Sequence, residues 1–148
     1  MQQASNQNEV QANVAMRYRT LRTVWFGILL SVPMYYVFTL LEAATPVATD
    51  ERQILTTILL TAGIASALVS HIVKRKVLSR SVSEQRVQLV HVAYVAAFAV
   101  TELAALLGVL DHFLTGNRYY YILFIVAAIG LLFHFPNRDH LLAACYKQ

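Results

Sequence analysis

Four apolar segments, each close to the length that crosses a lipid bilayer, constrain this chain more than any other feature. They occupy residues 23–41, 54–73, 87–110 and 119–135, and a spanning helix needs about 20 mainly apolar residues. The 148 residues are 57% hydrophobic and 14% charged, whereas a soluble domain carries about 25% charged residues. A soluble domain of this length can hardly bury four such helices. The sequence therefore predicts an all-α integral membrane bundle of four transmembrane helices.

The polar segments between and around these blocks predict the orientation of the chain. Residues 1–22 and 137–148 are interpreted as polar tails on either side of a transmembrane domain that covers residues 23–136. The positive-inside rule places the side with more lysine and arginine in the cytoplasm. Only Arg52 and Arg118 fall on the far side, so both termini are expected inside, in a multi-pass protein of the cell inner membrane. The side of the termini holds Arg17, Arg19, Arg22, Lys74, Arg75, Lys76, Arg80, Arg86, Arg138 and Lys147.

Glu102 is the one acidic residue within the third apolar segment. It lies 16 positions after Arg86, about 24 Å along a helix, and therefore inside the apolar layer. A charge at this depth costs about 2.5–3.5 kcal/mol on insertion scales, and burial favours the neutral carboxyl. One interpretation is a site that binds a proton or a cation. The other is a structural contact, in which Glu102 joins two helices by hydrogen bonds to hydroxyls such as those of Thr56, Thr57 and Thr61.

His91 precedes Glu102 by about three full helical turns, so both residues are predicted to lie on one face. Tyr94 lies near the same stripe. These side chains could begin a proton path from the basic side toward Glu102. They could equally be unrelated polar members of a packed helix interface.

Small residues are concentrated in the second apolar segment, within the stretch TAGIASALVS. In lipid, such residues allow helix backbones to approach closely. Gly63 and Ser66, together with Gly108 of the third segment, are therefore candidate helix-packing positions. We expect the second helix to mediate association with further copies of the chain or with other membrane subunits.

Residues 54–112 resemble the hairpin of the proteolipid (c-type) ring subunit of rotary ATP synthases. The small-residue stretch, the polar loop KRKVLSRSVSEQR and the stretch TELAALLGVL follow one another as they do in that family. The resemblance implies that Glu102 is the ion-binding acid and that Gly108 is the small residue that follows it. It also implies assembly with other subunits in the membrane.

Three histidines lie at a similar depth near the basic side, at His71, His91 and His134. Histidines on facing helices can ligate haem in helical bundles, so a cofactor-binding bundle is the alternative function. No spacing motif supports haem, and the leading interpretation includes no cofactor.

Other functional classes find little support in the residues. The single cysteine, Cys145, belongs to no Cys/His cluster, so no metal site is predicted. No nucleophile with a base is recognisable, so the chain is expected not to be an enzyme. The basic residues flank apolar segments, a pattern that is typical of proteins in a lipid bilayer. The expected partner is therefore the bilayer, and no nucleic-acid partner is expected. Asp111 and His112 are interpreted as solvated residues of an outer turn.

Overall fold

A computed structural model describes residues 2–43 and 49–145, with side chains described for 11–43 and 51–145. This part of the chain is all-helical and contains no β-strand. Its elements are α1 (Gln2–Leu41), α2 (Thr49–Ser83), α3 (Val87–Thr115), α4 (Tyr121–Phe133) and α5 (Arg138–Cys145).

Within the described part of the chain, three helices are long and apolar enough to cross a membrane: Gln11–Leu41 within α1, Glu51–Ser83 within α2, and all of α3. A fourth candidate involves α4, which passes the same test of length and hydropathy when it is counted together with α5, beyond a bend of 46°. Large apolar side chains cover the outside of the bundle, including Phe26, Leu30, Met34 and Val37 of α1. An exterior of this kind suits hydrocarbon rather than water. These features fit an integral membrane protein.

The core is organised around α3, which contacts every other helix. Its buried residues recur every three or four positions and so form one stripe along the helix. Most of them are small, which lets neighbouring backbones approach closely. The stripe consists of Val90, Ala93, Tyr94, Ala97, Phe98, Thr101, Ala104, Ala105, Gly108, Asp111 and Thr115.

The helices extend well beyond the apolar segments at two places. The segment 1–22, predicted as a polar tail, is helical from Gln2 onward and continuous with the first span. Its first 25 described residues contain no glycine or proline to stop a helix, and Val14 and Leu21 are buried on one face. The polar connector predicted at 74–86 is likewise helical through Ser83.

The α2–α3 turn is therefore only three residues long, 84–86. Gln85 takes a left-handed conformation with φ 51°, and the Arg86 N–H donates to the Ser81 carbonyl at 3.1 Å. That bond satisfies a carbonyl in the last turn of α2. A hydrogen bond from Arg80 lowers the pKa of Glu84 below its ordinary value. This short turn makes α2 and α3 a tight helical hairpin.

The last segments also differ from expectation. The fourth apolar segment, predicted as helical over 119–135, forms a helix only over Tyr121–Phe133, about 20 Å long. Pro136 follows, where a helix cannot continue with full hydrogen bonding. The described part of the predicted tail 137–148 forms α5, which buries Leu141 and Ala144 against the bundle. The C-terminal helix is thus docked on the protein itself.

Candidate functional site

Glu102 contacts α1 through two hydroxyl groups. Ser31 Oγ lies 2.8 Å from Glu102 Oε1, and the Tyr35 hydroxyl lies 2.9 Å from the same oxygen. Ser31 and Tyr35 are four residues apart and therefore share one face of α1. Pro33 lies between them and has no N–H to donate to the backbone. A half-buried carboxyl is thus held at the α1–α3 interface by two neutral donors.

The expected partners of Glu102 on the second helix were wrong. Thr57 and Thr61 donate to carbonyls of their own helix, at 2.8 and 2.7 Å. Thr56 donates to Asp111 at 3.0 Å. The cause is the rotation of α3, whose buried stripe meets α2 and α4 while the neighbouring position 102 faces α1.

The Ser31 hydroxyl can serve either protonation state of Glu102. It lies 2.7 Å from the Ile28 carbonyl as well as 2.8 Å from Glu102, and it carries a single proton. With Glu102 ionised, Ser31 donates to the carboxylate. With Glu102 protonated, the carboxyl O–H can donate to Ser31 Oγ while Ser31 donates to the Ile28 carbonyl. The site therefore retains its contacts when a proton is gained or lost.

His91 also lies on the α1 side of α3, but it does not reach Glu102. It lines a surface groove of about 300 Å³ together with Asn13, Met16, Arg17 and Thr20 of α1. Its separation from Glu102 is about 16 Å along the helix axis. The structure thus keeps His91 apart from the Glu102 hydrogen bonds.

Tyr94 belongs to a different cluster, near the turn between α4 and α5. Its hydroxyl lies 2.7 Å from His140 Nδ1 and accepts a hydrogen bond from the Asn137 N–H at 3.0 Å. Lys74 Nζ lies 4.5 Å from the centre of the Tyr94 ring, a favourable cation–π geometry. Tyr94 therefore ties α5 to α2 and α3 and is not placed between His91 and Glu102.

This arrangement predicts that the Tyr94 hydroxyl holds α5 in place. Tyr94→Phe keeps the ring beneath Lys74 but removes both hydrogen bonds of the hydroxyl. The loss of a single hydrogen bond costs about 1 kcal/mol. We expect Cys145, half-buried at the end of α5, to react roughly fivefold faster with a water-soluble maleimide. Tyr119→Phe, at a side chain that is 57% exposed, should label at the wild-type rate. Equal rates for the two variants would show that α5 docks without this hydroxyl.

His71 and His134 are brought together, whereas His91 lies elsewhere. The two rings meet edge to face with centroids 4.7 Å apart. His134 is fully buried, and its Nε2 lies 2.7 Å from Ser70 Oγ. Its Nδ1 has no hydrogen-bond partner among the described residues. Axial haem ligands must lie on opposite faces of a porphyrin, and rings in direct contact leave no room for one between them.

Asp111 is a buried carboxylate, so its interpretation as a solvated residue was wrong. It lies in the last turn of α3 with 0% of its surface exposed. Thr56 Oγ1 and Thr115 Oγ1 donate to Oδ1 at 3.0 and 2.9 Å, and Asn117 Nδ2 donates to Oδ2 at 2.8 Å. The carboxylate joins α2, α3 and the turn that Gly116 begins, where φ is 61°. His112, by contrast, reaches the Glu42 carbonyl at 3.2 Å.

The candidate packing residues lie within the chain's own bundle. A Cβ added at Gly63 would meet the Leu123 side chain of α4, and one at Gly108 would lie 3.1 Å from Leu123 Cβ. Ser66 donates to the Gly63 carbonyl at 2.8 Å. The small residues of α2 and α3 thus make room for α4.

Comparison with protein family models, curated proteins and solved structures found no match. Within the described residues, no group of three His, Cys, Asp or Glu side chains is placed to hold a metal ion. Each of the two carboxyl groups of α3 contacts a hydroxyl that also reaches a backbone carbonyl, Ser31 for Glu102 and Thr115 for Asp111. Asp111 is held in addition by Asn117 Nδ2, which can only donate, whereas the hydrogen bonds of Glu102 all come from hydroxyls.

Proposed function

We propose that this chain is a non-enzymatic, multi-pass membrane protein in which Glu102 reversibly binds a proton at the α1–α3 interface. The observation that carries the proposal is the pair of hydroxyls, Ser31 and Tyr35, that donate to one carboxyl oxygen. Neutral donors stabilise the ionised form without fixing it as an arginine or lysine would. In an apolar layer, an ionisable residue of this kind is a functional candidate by default.

The proposed arrangement has four spans with both termini in the cytoplasm, the fourth made by α4 and its flanking residues. The ten-to-two distribution of basic residues supports this orientation. In the same proposal the chain is a subunit of a larger or homo-oligomeric assembly in the cell inner membrane. The α2–α3 hairpin, with its carboxylate on the second helix, supports a relation to ring-forming proteolipid subunits. Glu102, however, finds its donors on α1, which lies outside that hairpin.

Infrared spectroscopy of the protein in lipid tests the proton site directly. As the pH is raised, we expect a protonated carboxyl band to fall reversibly in wild type and to be missing in Glu102→Gln. Tyr35→Phe removes one of the two donors to Glu102 Oε1, so the carboxyl band should shift from its wild-type frequency.

Asp111→Asn is the matched control, because it removes the other buried carboxyl while leaving Glu102 and its donors in place. The pH-dependent band should persist in this variant. Two results would contradict the proposal and show that Glu102 is a fixed structural contact. One is loss of the pH-dependent band in Asp111→Asn, and the other is a carboxyl band of Glu102 that does not change with pH.

A further inference from the structure

A groove of about 580 Å³ lies beside the first part of the α1 span, away from both carboxyl groups. Four of its lining residues follow the spacing i, i+3, i+4 and i+7 and therefore form one stripe on α1. Trp25 and Phe135 complete its lining. The α1 stripe consists of Arg19, Arg22, Thr23 and Phe26.

The aromatic wall of this groove is held in place. Trp25 Nε1 donates to the Leu131 carbonyl at 2.8 Å, which satisfies a carbonyl in the last turns of α4. The Phe135 ring stands edge-on to the indole, at 5.0 Å and 84°. The wall is therefore preorganised and needs little ordering to receive a ligand.

Neither arginine has an acidic partner among the side chains that the structure describes. Within the described residues, both ion pairs involve Glu84, and neither includes Arg19 or Arg22. These residues immediately precede the apolar segment 23–41, so their guanidinium groups stand where lipid headgroups meet hydrocarbon. Guanidinium groups bind phosphate in a bidentate manner, and tryptophan favours the same level of the bilayer.

We propose that this groove is a binding site for an anionic phospholipid. The phosphate binds Arg19 and Arg22, and an acyl chain lies along Phe26 and Phe135. The volume is within the range of ligand sites, about 300–1,000 Å³, and the charge and apolar surface of the groove match the two ends of the lipid. The inference depends on α1 crossing a bilayer and is independent of a proton at Glu102.

Trp25 is the only tryptophan in the chain, so its fluorescence reports on this groove alone. Phospholipids with dibrominated acyl chains quench an indole that they contact. We would reconstitute the full chain in phosphatidylcholine vesicles containing either dibromo-phosphatidylglycerol or dibromo-phosphatidylcholine at equal mole fraction. Wild type should bind the anionic lipid at least about fivefold more tightly than the zwitterionic one, since each basic residue near the surface favours anionic lipid.

Arg19→Gln/Arg22→Gln should abolish this preference. Arg75→Gln/Lys76→Gln removes the same charge from exposed positions of α2 and should keep it. Each single arginine variant should lose part of the preference, which keeps the test decisive if the double variant does not insert. Equal quenching by the two lipids in wild type, or an equal loss in the α2 control, would overturn the site in favour of general charge attraction.

Discussion

Gly130→Leu is expected to lower the free energy of unfolding by about 3 kcal/mol, the upper end of the cost of overpacking a core. A Cβ at position 130 would lie 2.7 Å from Thr101 Cγ2 and 3.9 Å from Ala67 Cβ, so α2, α3 and α4 meet at this point. Thr101 is fully buried, and its hydroxyl donates to the Ala97 carbonyl at 2.8 Å. Its methyl group therefore cannot turn aside without breaking that bond.

Gly27→Leu is the matched control, since it makes the same change in another apolar helix, α1. A Cβ at Gly27 has no neighbour within 4 Å, so leucine there should be neutral or should stabilise the helix by up to about 1 kcal/mol. Both variants can be unfolded in mixed micelles by increasing the fraction of dodecyl sulfate and followed by circular dichroism. Unfolding of both at the same detergent fraction would contradict the close packing of α4 against α3.

The apolar segments could be recognised in the sequence because hydrocarbon selects composition over a length set by the bilayer. The helix ends could not be recognised in this way, because the edge of the apolar layer does not terminate a helix. Arg75 and Lys76 are good helix formers, and no glycine or proline interrupts α2 after Gly63. A clear stop signal did exist at Pro136, and α4 ends shortly before it.

In the candidate site, composition identifies the carboxyl group, whereas helix packing determines its hydrogen-bond partners. Glu102 could be identified from the sequence, because an acid in an apolar segment is costly. Its partners could not, because they depend on how α3 is rotated against its neighbours. The small residues of α2 indicated close packing there, but that space is taken by Leu123 of α4. The available signal was the spacing of Ser31 and Tyr35, two hydroxyls on one face of α1.

Asp111 was missed for a related reason. It follows Leu110 at the predicted outer end of the third segment, where an acidic residue is normally solvated. In the structure α3 continues for one more turn, to Thr115, which moves Asp111 into the protein. Thr115 and Asn117 follow it closely in the sequence, but Thr56 comes from α2, and only the packing of α2 against α3 brings that hydroxyl to the carboxylate.

Asp111→Ala is expected to lower the free energy of unfolding by about 2–3 kcal/mol, because it leaves buried donors unsatisfied. The change removes the acceptor for Thr56 Oγ1, at 3.0 Å, and for Asn117 Nδ2, at 2.8 Å, and so releases α2 from the outer end of α3. The same unfolding measurement in mixed micelles applies. Asp139→Ala, at an exposed aspartate of α5, should change stability by less than about 0.5 kcal/mol.

A double-mutant cycle with Thr56→Val separates the contact between α2 and α3 from the rest of the Asp111 contacts. Hydrogen bonds between membrane helices average about 0.6 kcal/mol and reach about 1.7. We expect a coupling near the upper value, since Asp111 is fully buried and charged acceptors make the stronger bonds. A coupling energy near zero would mean that the Thr56 hydroxyl is equally stable with another acceptor. Asp111 would then stabilise the turn after α3 and not the contact between α2 and α3.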